Sequence, residues 1–171
     1  RPEQNASGAG LLWMHGGGYI IGNTGLNDGE CAALARDLGL VVVSVDYRLA
    51  PKHPFPAALD DCFDAWQFML DSARQLGIDP ARVAILGQSA GGGLAASLVH
   101  RIADAGGTQP AAQVLMYPMI DDRTAAKTEL DQLAHRFWNN RNNRAAWGWY
   151  LGQAPGMEST PPYAVAARRQ D

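Results

Sequence analysis

The residues best suited to covalent chemistry lie in a glycine-rich stretch around Ser89. The pentapeptide Gly87-Gln88-Ser89-Ala90-Gly91 fits the pattern G-x-S-x-G, in which a serine sits on a sharp strand-to-helix turn with its hydroxyl exposed. Gly87 and Gly91 leave room for that turn. The amides that begin the following helix would face negative charge developing near the serine. The pattern therefore predicts a nucleophile at Ser89 and an oxyanion-binding amide at Ala90.

Taken alone, this pentapeptide also fits a small-residue turn where a helix packs closely on a strand, so its context matters. A second glycine-rich loop, His15-Gly16-Gly17-Gly18-Tyr19, follows a predicted strand. Consecutive glycines let backbone amides approach an acyl oxygen, which predicts Gly17 and Gly18 as oxyanion donors. A flexible turn and a phosphate-binding loop are the alternatives. The phosphate alternative is disfavoured, because neither G-x-G-x-x-G nor G-x-x-x-x-G-K-[ST] occurs.

The elements that must position these loops follow from short, continuous apolar runs. Four runs predict buried strands, at Leu11 to Met14, Leu40 to Val45, Val83 to Leu86 and Val114 to Tyr117. Helical patterns follow at Glu30 to Leu38, Pro56 to Leu76, Ala90 to Gly106 and Ala145 to Leu151, with a polar, turn-like stretch at Asn139 to Asn143. Strands buried on both faces are typical of a parallel sheet covered by helices, so we predict an α/β fold in one domain, 1–171.

Composition narrows the classes of partner. The chain has 171 residues, 47% of them hydrophobic, with a formal net charge of -3. No basic run marks a nucleic-acid or anionic-membrane surface, and no Cys/His cluster predicts a metal site, so we expect no cofactor. Cys31 and Cys62 lack paired spacing and are interpreted as small buried residues of a reducing compartment. We therefore expect a cytoplasmic location, and we expect the chain's start to lie upstream of Arg1.

The motifs together resemble one family. HGGGYIIG from His15, VVSVDYRLAPKHPFPAALDD from Val42, GQSAGGGLAA from Gly87 and QVLMYPMIDDR from Gln113 are similar, in this order, to the bacterial hormone-sensitive-lipase-like (family IV) carboxylesterases of the α/β-hydrolase superfamily. The resemblance implies an α/β-hydrolase fold acting on short-chain carboxylic esters, without a cofactor. It also implies Ser89 as nucleophile, the amides of Gly17, Gly18 and Ala90 as oxyanion hole, and His15, Gly16, Gly87 and Gly91 as supporting residues.

The chain departs from this family in two ways. Gln88 stands where the family usually has Asp, which affects hydrogen bonding around the turn rather than the identity of the nucleophile. The family's catalytic Asp and His come later in the sequence, so we expect both beyond Asp171 and the domain to be incomplete at both ends. A serine needs such a base. The alternatives are therefore a non-catalytic ligand-binding member of the fold, or an inactive fragment.

Other polar and aromatic residues are expected to have structural rather than catalytic roles. His100 lies about three turns along the helix after Ser89, too far to reach it, and His53 and His135 are disfavoured as bases. Asp121 and Asp122 are expected to cap a loop, and Asp46, Tyr47 and Arg48 to hold the loop after a strand. Trp138, Trp147 and Trp149 either line an acyl pocket or fill the core. Unpaired sheet edges are expected to allow a homo-oligomer and to leave ester hydrolysis by this segment poor.

Overall fold

A computed structural model of the chain describes residues 2, 6–133 and 135–170. At its centre is a parallel sheet with the strand order β2-β1-β3-β4. The strands are β1 (Gly10–Met14), β2 (Val41–Val45), β3 (Val83–Gln88) and β4 (Ala112–Met116). The predicted α/β fold is confirmed. The fourth strand begins two residues before its predicted start at Val114 and ends before Tyr117, which has a positive φ of 39°.

The register of the sheet brings the two glycine-rich loops together. Met14, the last residue of β1, lies between Val45 of β2 and Gly87 of β3. Because neighbouring parallel strands end at the same edge, the chain leaves β1 at His15 beside the point where it leaves β3 at Ser89. This carboxyl edge is where open α/β sheets bind ligands.

Helices alternate with the strands. They are α1 (Asp28–Leu38), α2 (Ala57–Asp71), α3 (Ala73–Leu76), α4 (Ala90–Ala105), α5 (Arg123–Ala126) and α6 (Asn140–Leu151). Short 3-10 turns occupy Thr24–Asn27, Pro80–Arg82, Thr128–Gln132 and Ala166–Arg168. The single helix predicted for 56–76 is interrupted at Ser72, which separates α2 from α3.

The prediction of a turn at Asn139 to Asn143 is wrong. Asn139 is the N-cap of α6, and its side chain accepts a hydrogen bond from the backbone N–H of Asn142. The asparagines that looked like loop residues therefore form the cap and the first turn of a helix. A cap of this kind satisfies one of the amides that an α-helix leaves without a partner at its start.

The core lies on both faces of β1. Leu12 and Met14 join a large apolar cluster with α2, α4 and α6, whereas Leu11 and Trp13 pack against α1 on the opposite face. This arrangement explains why the strand is continuously apolar, as predicted for a strand covered on two sides. Cys62 is buried in the large cluster and Cys31 is half-buried on α1, and both are free thiols.

The prediction that the fourth strand is buried is wrong, since four of the five residues of β4 are exposed. Val114 is 43% exposed and Met116 36% exposed, and within the described residues no strand pairs with the outer edges of β2 and β4. Self-association through these edges stays a prediction, as does the cytoplasmic location. None of the described helices is long and apolar enough to cross a bilayer.

A buried ion pair ties the last described segment to the end of β4. Asp122 is fully buried and accepts hydrogen bonds from Arg168 Nε at 2.8 Å and Nη2 at 3.0 Å. It also accepts one from the N–H of Gly156 at 2.6 Å. The neighbouring Asp121 bonds instead to the more exposed Arg123. The hydrogen-bonding roles predicted for Asp121 and Asp122 are therefore confirmed.

We predict that Asp122→Ala destabilises the chain by about 3 kcal/mol, because it strands the largely buried Arg168 guanidinium without a counter-charge. Asp121→Ala is the matched control, since its partner Arg123 is mostly exposed and such pairs contribute about 1 kcal/mol or less. Urea unfolding followed by tryptophan fluorescence measures both values. Equal losses for the two variants would contradict this account.

Candidate active site

Ser89 occupies an unusual backbone conformation between β3 and α4, with φ 53° and ψ -114°. A positive φ is uncommon for any residue with a side chain and persists only where its surroundings hold it. Here the Ser89 N–H donates to the carbonyl of Met116 at 2.9 Å, and the Ser89 carbonyl accepts from the N–H of Met119 at 2.9 Å and of Gly93 at 3.1 Å. These bonds to α4 and to the chain around the end of β4 fix the turn.

The glycines around Ser89 are required by close backbone contacts. A Cβ atom added to Gly87 would overlap the carbonyl of Gly91, and one added to Gly91 would overlap the carbonyl of Met14. A Cβ atom on Gly93 would likewise overlap the carbonyl of Met119, and one on Gly92 would lie within 2.8 Å of Pro118. The roles predicted for Gly87 and Gly91 follow from these contacts, whereas the need for glycine at the next two positions was not anticipated from the sequence.

The loop after β1 lies directly beside Ser89. A Cβ placed on Gly16 would be 3.4 Å from the Cβ of Ser89. The loop then turns through positive φ values at Gly17 (126°) and Gly18 (60°), and the Gly17 carbonyl accepts from Ile20 N–H at 3.1 Å and from Ile21 N–H at 3.0 Å. Such backbone conformations favour glycine.

The predicted oxyanion donors are unoccupied. Across residues 6–133 and 135–170, the N–H groups of Gly17, Gly18 and Ala90 donate no hydrogen bond. The Ala90 N–H also begins α4, where the helix dipole favours negative charge. Three amides of the two glycine-rich loops are thus available at the edge of the sheet where Ser89 lies half-buried.

His15 supports the loop. It is fully buried, its Nδ1 lies 2.6 Å from the Gly16 carbonyl, and its ring stacks on Tyr47 with centroids 4.2 Å apart. Burial lowers the pKa of His15 below its ordinary value, more than the hydrogen bond to Gly16 raises it. The ring is therefore neutral at pH 7, and its Nδ1 is already engaged, which fits a supporting role rather than that of a base.

Tyr47 has a role that the sequence did not reveal. Its hydroxyl donates to the His15 carbonyl at 2.7 Å, so it holds the loop after β1 against the loop that follows its own strand, β2. Arg48 does secure that loop, through its N–H and Nε to Asp61, whereas Asp46 is exposed. Tyr47 and His15 are 32 positions apart in the sequence, so no local pattern predicts the hydrogen bond between them.

Tyr19 fastens the other end of the loop. Its hydroxyl donates to the Met119 carbonyl at 2.9 Å, and its ring stacks on Tyr150 with centroids 4.0 Å apart. Burial raises the pKa of the Tyr19 hydroxyl well above its usual range, so it stays a neutral donor. The loop is thereby joined both to the segment after β4 and to α6.

The three tryptophans have different environments. Trp147 is buried and lies 5.2 Å from the Tyr19 ring centroid, so it belongs to the core. Trp149 is 48% exposed. Trp138 is half-buried, and its ring lies so close to Gly18 that a Cβ atom there would overlap it. Trp138 is therefore in contact with Gly18, one of the predicted oxyanion donors.

Ser89 Oγ receives no hydrogen bond from any residue that the structure describes. His53 lies in the turn after Leu49. His100 lies on the far part of α4, where its carbonyl accepts a hydrogen bond from Arg169. His135 lies on an exposed segment before Trp138. The expectation that the base and acid come from residues beyond Asp171 stays a prediction.

Comparison with known proteins identifies the family. A family model described as alpha/beta hydrolase fold matches residues 11–171. The chain is 44% identical over 125 residues to ethyl acetate hydrolase of Pseudomonas putida, and 44% identical over 108 residues to esterase LipI of Mycobacterium tuberculosis. These alignments cover 71% and 63% of the chain, but 39% and 34% of the relatives.

Solved structures give the same result. A bacterial heroin esterase is 40% identical and superposes with a TM-score of 0.89, over 98% of this chain and 54% of that one. The chain thus spans about half the length of that structure and less of the curated relatives. With the matched motifs lying on the elements described above, the chain belongs to the α/β-hydrolase fold family, in its hormone-sensitive-lipase-like (family IV) branch.

Proposed function

We propose that this chain carries the nucleophile and the oxyanion hole of a serine carboxylesterase. The observation that carries the proposal is the contact of Gly16 with Ser89, which brings a loop with unoccupied amides beside a serine on a constrained turn. Preorganised donors facing a developing negative charge are the largest contribution to catalysis in many enzymes, and the loss of one costs about 3 to 4 kcal/mol.

In the proposed reaction, Ser89 Oγ attacks the ester carbonyl carbon, and the carbonyl oxygen takes the negative charge. The amides of Gly17, Gly18 and Ala90 stabilise that oxyanion. The serine proton passes to a general base and then to the departing alcohol, leaving an acyl-serine. A water molecule, deprotonated by the same base, releases the carboxylic acid and restores the hydroxyl. We place that base outside residues 1–171.

The relatives support esters as the substrate class. Their names describe hydrolysis of ethyl acetate and of heroin, and a third is an esterase. Ethyl acetate carries a two-carbon acyl group, and we extend to this chain a preference for short acyl groups. The position of Trp138 against Gly18 supports that extension, because a large ring beside an oxyanion donor leaves little room for a long acyl chain.

We predict that Ser89→Ala reduces hydrolysis of p-nitrophenyl acetate to the background rate in protein that includes the proposed general base. The expected loss is on the order of 10³-fold or more. The matched control is Ser159→Ala, which alters an exposed serine of the loop after α6 and is expected to have no effect. Hydrolysis that persists at the wild-type rate in Ser89→Ala would rule out this assignment. Ester binding without any turnover in either protein would favour a ligand-binding role.

We predict that Trp138→Ala shifts the acyl-length preference upward. The ratio of kcat/KM for p-nitrophenyl octanoate to kcat/KM for p-nitrophenyl butyrate is expected to rise about tenfold. In an apolar pocket, room for one additional methylene group changes kcat/KM by at least about that factor. Trp149→Ala is the control on α6, with its side chain partly in solvent. An unchanged ratio in Trp138→Ala, with Ser89-dependent hydrolysis intact, would show that Trp138 does not limit the acyl group.

A further inference from the structure

Gln88, the residue before the nucleophile, has both ends of its side-chain amide engaged. Its Oε1 accepts a hydrogen bond from Asn27 Nδ2 at 3.4 Å, and its Nε2 donates to the hydroxyl of Tyr117. Asn27 ends the 3-10 turn before α1 and is only 6% exposed, whereas Tyr117 directly follows β4. One side chain therefore connects segments that are 61 and 29 residues away from it in the sequence.

This bridge lies directly beside the oxyanion loop. A Cβ atom placed on Gly16 would be 3.3 Å from the Gln88 carbonyl oxygen and 3.8 Å from Gln88 Oε1. Gly16 thus packs against both the backbone and the side chain of Gln88. A shift of Gln88 would move Ser89, the next residue, relative to the loop that carries Gly17 and Gly18.

The strained backbone around Ser89 requires hydrogen bonds that hold it in place. Ser89 and Tyr117 both have positive φ values, of 53° and 39°, and residues in this region are held there by their surroundings. The backbone bonds of Ser89 reach Met116 and Met119, on either side of Tyr117. The Gln88 amide adds a side-chain connection to that same segment, and its bond to Asn27 extends the connection to the chain that continues from the oxyanion loop.

We propose that Gln88 is a positioning residue that sets the distance between Ser89 and the amides of the oxyanion loop. The proposal rests on the esterase function proposed above. Gln88 acts through Ser89 and Gly16. A misplacement of reacting groups by about 1 Å can cost about 100-fold in rate, so the bridge affects the chemical step rather than substrate affinity.

The hydrogen-bonding chemistry provides a pair of matched variants. Gln88→Leu keeps nearly the same volume but can form neither bond. Gln88→Glu keeps both, because a carboxylate accepts from Asn27 as the amide oxygen does, and the Tyr117 hydroxyl can turn to donate where it now accepts. If Gln88 has a positioning role, Gln88→Leu lowers the rate and Gln88→Glu does not. If the neutral amide itself is required, both variants lose the same amount of activity.

Kinetics with p-nitrophenyl butyrate test the proposal. Gln88→Leu is expected to lower kcat about tenfold with KM changed less than about twofold, and Gln88→Glu to restore most of the rate. Gln67→Leu, the same substitution on an exposed position of α2, is the control. An unchanged kcat in Gln88→Leu, or a rise in KM alone, overturns the proposal, and so does an equal loss in Gln88→Glu.

Hydrogen exchange gives a readout that does not require turnover. Amide exchange in the peptide covering 15–22 is expected to be faster in Gln88→Leu than in the wild type, and unchanged in Gln88→Glu and Gln67→Leu. Equal exchange in all four proteins overturns the proposal. If wild-type protein that includes the proposed general base shows no Ser89-dependent hydrolysis, the esterase proposal fails, and the exchange rates alone then decide whether Gln88 holds the loop.

Discussion

The structure depends on one close crossing of backbone at the carboxyl edge of the sheet. Gly91, at the start of α4, lies against the carbonyls of Met14 and His15, where β1 ends and the proposed oxyanion loop, residues 15–18, begins. No side chain fits between them. Because the helix can approach the strand this closely, the serine two residues earlier lies beside the loop that follows β1, and the dipole of α4 points at the same place.

Two tyrosines hold the loop after β1 in place through hydrogen bonds. Tyr47 fixes the loop at the His15 carbonyl from the side of β2, and Tyr19 fixes it at the Met119 carbonyl from the side of β4. Both hydroxyls are buried, and burial keeps their pKa values well above the usual range, so they remain donors at neutral pH. The backbone N–H groups of Gly17 and Gly18 have no protein partner among the described residues. Donors that are fixed before the reaction need no reorganisation when charge develops.

Much of this could be predicted from local patterns. Continuous apolar runs predicted the strands, because a strand covered on both faces, such as β1, has no polar face, although the same pattern in β4 accompanies an exposed strand. The glycines around Ser89 and Gly17 predicted the two tight turns. The supporting contacts could not be predicted. The bonds of Tyr47, Tyr19 and Gln88 join residues 32, 100 and 61 positions apart, and no periodicity marks which distant tyrosine or amide reaches a loop. The asparagines at the start of α6 were misassigned because capping residues and turn residues share the same chemistry.

We expect an oxyanion formed on Ser89 to face the amides of Gly17, Gly18 and Ala90. A crystal structure of the protein treated with an organophosphate such as diethyl p-nitrophenyl phosphate tests it most directly, since the phosphoryl oxygen of the adduct stands in for the oxyanion. We predict a covalent adduct on Ser89 Oγ, with that oxygen about 2.7 to 3.1 Å from the nitrogens of Gly17, Gly18 and Ala90. An adduct whose phosphoryl oxygen points away from these amides, or one formed on another residue, would contradict it.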